Sequence, residues 1–105
     1  MISLTISALA REDIGAVTDY YLAEAGDPVA LGFSDALEAA ISFIQSSPAA
    51  GSPRLRRTFG RKGIRVWPVR RYPYLVIYDQ GPKQVLILRI LHAARDIPAS
   101  LRGPG

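Results

Sequence analysis

Two apolar runs near the C-terminus constrain the fold most: Tyr74-Leu-Val-Ile-Tyr-Asp79 and Val85-Leu-Ile-Leu-Arg-Ile-Leu-His92, with Gln80-Gly-Pro-Lys83 between them. Each run has the length of a strand and is rich in β-branched and aromatic residues, while Gly81-Pro82 marks a tight turn. The pattern predicts an antiparallel hairpin of Tyr74–Asp79 and Gln84–His92. The second run is nearly all aliphatic, which suits a central strand covered on both faces. A chain of 105 residues holds one modest core, so the rest of the sequence must extend this hairpin or cover it.

The N-terminal half supplies the cover. Ile2, Leu4 and Ile6 alternate with Ser3, Thr5 and Ser7, the period of a half-buried strand that pairs with a later one. Ser7 is placed to cap a helix whose inward face carries Ala10, Ile14, Val17 and Tyr21. Gly26 ends it, and Asp27-Pro28 starts another, with Asp27 as N-cap and Pro28 in the first helical position. Val29, Phe33, Leu37, Ala40 and Ile44 form the stripe of this second helix, which breaks at Ser46-Ser-Pro48. So short a link makes the two helices an antiparallel hairpin.

Beyond Gly51-Ser-Pro53 the sequence reads as a strand over Arg54 to Phe59, a turn at Gly60-Arg-Lys-Gly63, and a strand from Ile64 to Arg71. Pro68 inside the latter calls for a sheet edge or a bulge. The expected class is α+β, a β-α-α-β-β-β order with three or four antiparallel strands after the helical hairpin. Residues 1–101 are expected to form the one domain and Arg102 to Gly105 a disordered tail.

Charge is divided unevenly. Residues 1–50 hold one basic residue against seven acids, a formal −6, and residues 51–105 hold twelve against two, a formal +10. Such a basic half suits a polyanion or an acidic protein segment; packing of the two halves against each other is the plainer account. With no cysteine there is neither a disulfide nor a thiolate metal site. No signal peptide or membrane span is legible, so the expected location is the cytoplasm. No Gly-rich phosphate loop, metal-ligand spacing or cofactor motif occurs.

Three sets of residues merit a role. His92, the single histidine, stands at the end of the last strand before Arg95 and Asp96. It would serve as a general base for a ribose hydroxyl, or simply order the C-terminal turn. Arg54, Arg56, Arg57, Arg61, Lys62, Arg65, Arg70 and Arg71 form a basic set without an intervening acid. Strand alternation would put Arg54 and Arg56 on one face with Arg57 opposite, and Arg65 and Arg71 together on the next strand. Arginine forks take phosphates and carboxylates alike. Trp67, Tyr72, Tyr74 and Tyr78 interleave with these bases and serve either as a stacking surface or as core.

The order Arg71-Tyr-Pro-Tyr74, an aliphatic and Tyr run, and Ile87-Leu-Arg-Ile-Leu-His-Ala-Ala-Arg-Asp96 resembles the C-terminal half of the ParE/RelE superfamily, the small bacterial toxins of toxin–antitoxin pairs. Ser7, Ala10, Asp13 and Ile14 are similar to its N-terminal pattern, as are Ala30, Phe33, Leu37, Pro48 and Gly51 to its second helix. The resemblance implies a type II toxin, often tied to plasmid stabilisation, neutralised by a cognate antitoxin through an acidic or amphipathic segment. ParE-like members poison DNA gyrase by binding, whereas RelE-like members cleave mRNA in the ribosome with clustered Lys/Arg and a C-terminal Tyr or His. With two lysines and no tyrosine after Tyr78, the chain fits the ParE side better. A nuclease would have to rest on His92, Arg65 and Arg89. A member that only binds its antitoxin is the third reading. The binding residues implied are Arg57, Arg65, Trp67, Arg70, Arg71, Tyr74, Tyr78 and Arg95, with Arg57, Arg65 and Arg71 rimming a groove between helices and sheet.

Overall fold

The computed structural model of the chain describes residues 2–97. Strand β1 (Ser3–Ile6) leads into helices α1 (Ala8–Ala25) and α2 (Asp27–Ser46), a 3-10 turn (Pro48–Ala50) and a short helix α3 (Arg56–Phe59). Strands β2 (Ile64–Pro68), β3 (Tyr74–Gln80) and β4 (Gln84–His92) follow. They form one sheet in the order β1-β4-β3-β2, with β1 parallel to β4 and the other pairs antiparallel. The expected α+β fold and its hairpins are present. The expected end of the domain at residue 101 and the tail beyond it lie outside the described residues.

Ser7 shows why α1 begins where it does. Its Oγ accepts the Ala10 N–H at 3.0 Å and donates to the Leu88 carbonyl of β4 at 2.8 Å. One hydroxyl thus caps the helix and ties it to the central strand. Gly26, at φ 88°, turns the chain between the helices and is itself the N-cap of α2. Asp27 and Pro28 lie inside its first turn, one place later than the sequence suggests. The helices pack Ala10, Val17, Phe33, Leu37 and Ile44 on a sheet face bearing Val76, Tyr78, Ile87 and Ile90.

The opposite face carries Ile64, Val66, Leu75, Ile77 and Leu91, and its cover comes from Leu55, Phe59 and Ile97. This explains the main departure from expectation. Arg54 to Phe59 is not a strand: Leu55 and Phe59 lie four residues apart, and a helical turn points both at the sheet. The supposed alternation of Arg54, Arg56 and Arg57 across two strand faces is therefore absent, and all three are exposed.

Pro68 closes β2 at the sheet edge, as its missing N–H requires. Beyond it Arg71 is not in a strand with Arg65. The Tyr72 N–H reaches the Val69 carbonyl and closes a four-residue turn whose third residue, Arg71, has φ 74°. Turns of this shape favour glycine there, so Arg71 holds a conformation that few side chains adopt.

Candidate functional site

Small residues along one face of α2 leave room for a groove. Gly32, Ala36, Ala39 and Ala40 form its floor on the helix side, and Trp67, Pro68 and Tyr72 form the opposite wall. Its volume is about 770 Å³. Phe43 and Trp67 stack at 4.5 Å with their planes 26° apart, closing one end with aromatic surface. Phe43 remains 40% exposed, and Leu31, 64% exposed, stands four residues before the lining residue Asp35. With Phe43 open among its apolar lining, the groove offers a surface suited to a partner.

Tyr72 sets the groove's other end. Its hydroxyl donates to the Val29 carbonyl at 3.0 Å, at the first turn of α2. Only glycine at position 32 permits that approach, since a Cβ there would overlap the hydroxyl. Arg70, Arg71 and Asp35, all exposed, also line the groove. Of the eight residues singled out for binding, Trp67, Arg70 and Arg71 converge here.

The others lie elsewhere. Arg57 is exposed on α3, and Arg65 is committed internally, its Nε to Gln80 Oε1 at 2.8 Å and its Nη1 to the Gly51 carbonyl at 2.7 Å. The groove is therefore rimmed by Arg70 and Arg71, not by Arg57 and Arg65. Tyr78 is fully buried. Its hydroxyl donates to the Pro48 carbonyl at 2.6 Å and accepts the Gly51 N–H at 3.0 Å, pinning the 3-10 turn to the sheet. Burial holds its pKa above the usual tyrosine value. Tyr74 is buried too, edge-on to Phe33 and His92. Arg95 donates to the Tyr74 hydroxyl at 3.0 Å, next to a separate shallow recess formed with Asp13, Tyr20 and Asp96.

His92 is part of a turn lock. Its Nδ1 accepts the N–H groups of Ala94 and Arg95, both at 3.1 Å, and its own N–H donates to Asp96 Oδ2 at 2.7 Å. Those bonds require a neutral ring with the proton on Nε2. Burial, then the Arg95 charge, holds the pKa below the ordinary value of 6.5, against the pull of Asp96. A histidine depressed in the folded state loses its contribution as pH falls through 6.5 toward the folded value, because the unfolded chain takes the proton first. The chain should lose more melting temperature between pH 7.5 and 5.5 than a His92→Asn variant, whose side-chain oxygen keeps an acceptor there. Equal losses would remove His92 from the account.

Arg89, mid-strand among aliphatics, is an unpromising place for chemistry by sequence. The fold gives it a partner instead. Its Nε and Nη2 meet the two carboxylate oxygens of Asp13 on α1 at 2.8 and 3.0 Å, and Asp13 Oδ2 also accepts the Ile90 N–H at 2.9 Å. Asp13, through its hydrogen bond, is the chief reason the Arg89 pKa is raised. Parallel pairing with β1 ends at Ile87, so this carboxylate takes over the edge of β4 where β1 stops. Among the described residues no cluster of His, Asp and Glu could hold a metal ion, and no helix is long and apolar enough to cross a membrane.

The model of a known family, described as the ParE toxin of the type II toxin–antitoxin system, parDE, matches residues 4–97. The chain belongs to the ParE toxin family. A solved structure titled as the chromosomal ParDE TA system from P. aeruginosa is similar to it, with 25% sequence identity and a TM-score of 0.73. That similarity covers 88% of this chain and 96% of the other. No curated protein matches. ParE membership accounts for the helical hairpin on an antiparallel-dominated sheet and gives the open groove beside α2 a context: these toxins belong to toxin–antitoxin systems.

Proposed function

We propose that this ParE-family chain poisons DNA gyrase by binding it, and that a cognate antitoxin holds it inactive by laying an acidic or amphipathic segment in the groove between α2 and β2. One observation carries the choice of target. The three side chains from which a nuclease would be built are all occupied in structural bonds: His92 in its turn, Arg65 between Gln80 and Gly51, and Arg89 on Asp13. Each is committed to a different structural contact, which argues against one prepared centre for the general acid–base and phosphate-holding roles. A toxin without such a centre acts by occupying a surface. The groove supports the antitoxin reading with aromatic and small apolar surface for an anchor and two arginines for carboxylates.

Controlled expression in a bacterial cell carrying a DNA-damage reporter tests this. Both the wild type and His92→Asn should arrest growth and induce the reporter. Arrest with a silent reporter, lost in the histidine variant, would assign the chain to ribosomal mRNA cleavage. No arrest from soluble, folded protein would leave a module that only binds its antitoxin.

A further inference from the structure

The groove does not absorb the most concentrated charge in the molecule. Arg54, Arg56, Arg57, Arg61 and Lys62 fall within nine residues around α3, and all five are exposed. Among the described residues one carboxylate meets them, Asp79, at 2.9 Å from Arg61. Arg56 bonds the Ile64 carbonyl through its Nε at 3.4 Å and borders a shallow concavity with Gly60, Arg61 and Lys62. Leu55 and Phe59, the apolar residues of the segment, are turned onto the sheet. What faces outward is therefore charge without an apolar anchor. This lobe covers the sheet face opposite the helices, whereas Arg70 and Arg71 line the groove beside α2.

We infer that the α3 lobe binds the phosphate backbone of duplex DNA. Three features select that partner. A like-charged cluster this dense is relieved by a polyanion, and arginine and lysine need no further help to track phosphates. A protein partner gains most of its affinity from buried aromatic and apolar anchors, which this surface lacks and the groove has. Single strands rely on exposed aromatic rings to stack unpaired bases, and the one ring here, Phe59, packs inward. The choice of DNA over duplex RNA rests on the gyrase reading, since gyrase presents the toxin with a bound duplex. Direct binding to DNA is a property of the chain alone, so it is measured without gyrase and stands apart from any failure to poison it.

The test is fluorescence anisotropy of a labelled DNA duplex of about 25 base pairs, titrated with the purified chain across a range of salt. The expected result is binding with a dissociation constant on the order of 10⁻⁶ to 10⁻⁴ M and a steep salt dependence. Among the described residues the side chains of Arg54, Arg57 and Lys62 form no hydrogen bond or ion pair, so a triple Gln variant keeps its structure. It should bind at least tenfold more weakly, with a log–log salt slope shallower by about 2.7, or about 0.9 for each phosphate that is no longer neutralised. The Arg70→Gln/Arg71→Gln variant should stay within about twofold of wild type. No binding by the wild type, or an equal weakening in the two variants, would overturn the proposal. So would tenfold tighter binding of a duplex RNA of the same sequence. Displacement of the DNA by poly-glutamate at equal charge concentration would instead make the lobe a protein-binding surface.

Discussion

Replacing Asp13 with alanine should destabilise the chain by about 2–3 kcal/mol, the range expected when hydrogen bonds to a charged group are removed and their partners stay partly buried. For a domain of this size that is a fall of about 10–20 °C in melting temperature. The carboxylate serves two elements at once. It accepts the Ile90 N–H of β4 and both donors of the Arg89 fork from its place on α1. Asp13 is only 16% exposed, so water would replace it poorly; Arg89, at 35%, is more open to solvent. The ion pair alone is therefore a modest contributor, and the bond to the strand edge is the larger loss. Asp13→Asn separates the two: its amide oxygen still takes the Ile90 N–H, so it should lose clearly less than the alanine variant. Thermal or urea unfolding of both, followed by circular dichroism, measures the difference. An alanine variant within about 0.5 kcal/mol of wild type would show that Asp13 does not hold the hairpin to the sheet.

The arginines lining the groove should respond the opposite way to stability. Arg71→Gly relieves a side chain at φ 74° and should stabilise the free chain by about 1 kcal/mol. If Arg71 is kept for its charge, the same change weakens the antitoxin complex. Reversal of both Arg70 and Arg71 to Glu should lower antitoxin affinity by about ten- to a hundredfold, acting mainly on association and most strongly at low salt. Arg57→Glu, on the α3 lobe over the opposite sheet face, should leave that affinity within a few-fold. Calorimetry or surface plasmon resonance with the cognate antitoxin, at two ionic strengths, gives the result. Unchanged affinity in the double reversal, or an equal loss from Arg57→Glu, would move the antitoxin off the groove.

Particular residues show how far the sequence carries this account. The β3–β4 hairpin is legible because Gly81-Pro82 separates two apolar runs, and the helices because Phe33, Leu37, Ala40 and Ile44 keep a helical period. Pro68 announces an edge strand, which β2 is. The Arg54–Phe59 segment misleads because Leu55, Arg57 and Phe59 alternate with other residues; the i, i+4 spacing of Leu55 and Phe59 is the better signal. The groove also leaves a trace, since Gly32, Ala36, Ala39 and Phe43 make a second stripe on α2. That stripe is mostly small residues, so hydrophobic patterning alone does not distinguish a cavity from a solvated face. The Asp13–Arg89 pair has no local trace. The partners are 76 positions apart, and the pairing of β3 with β4 shifts register at Ile77/Tyr78, close to where Arg89 lies. Arg71 likewise reads as a strand residue because nothing in its type foretells a positive φ.

The most direct measurement of the central claim is a cleavage assay with purified components. The chain is incubated with DNA gyrase, ATP and supercoiled plasmid, and the reaction is denatured and treated with protease. Accumulation of linear plasmid that had been covalently linked to gyrase, abolished by prior addition of the antitoxin, is the predicted result. Plasmid without cleaved product, from active gyrase and a chain that still unfolds cooperatively, would contradict it.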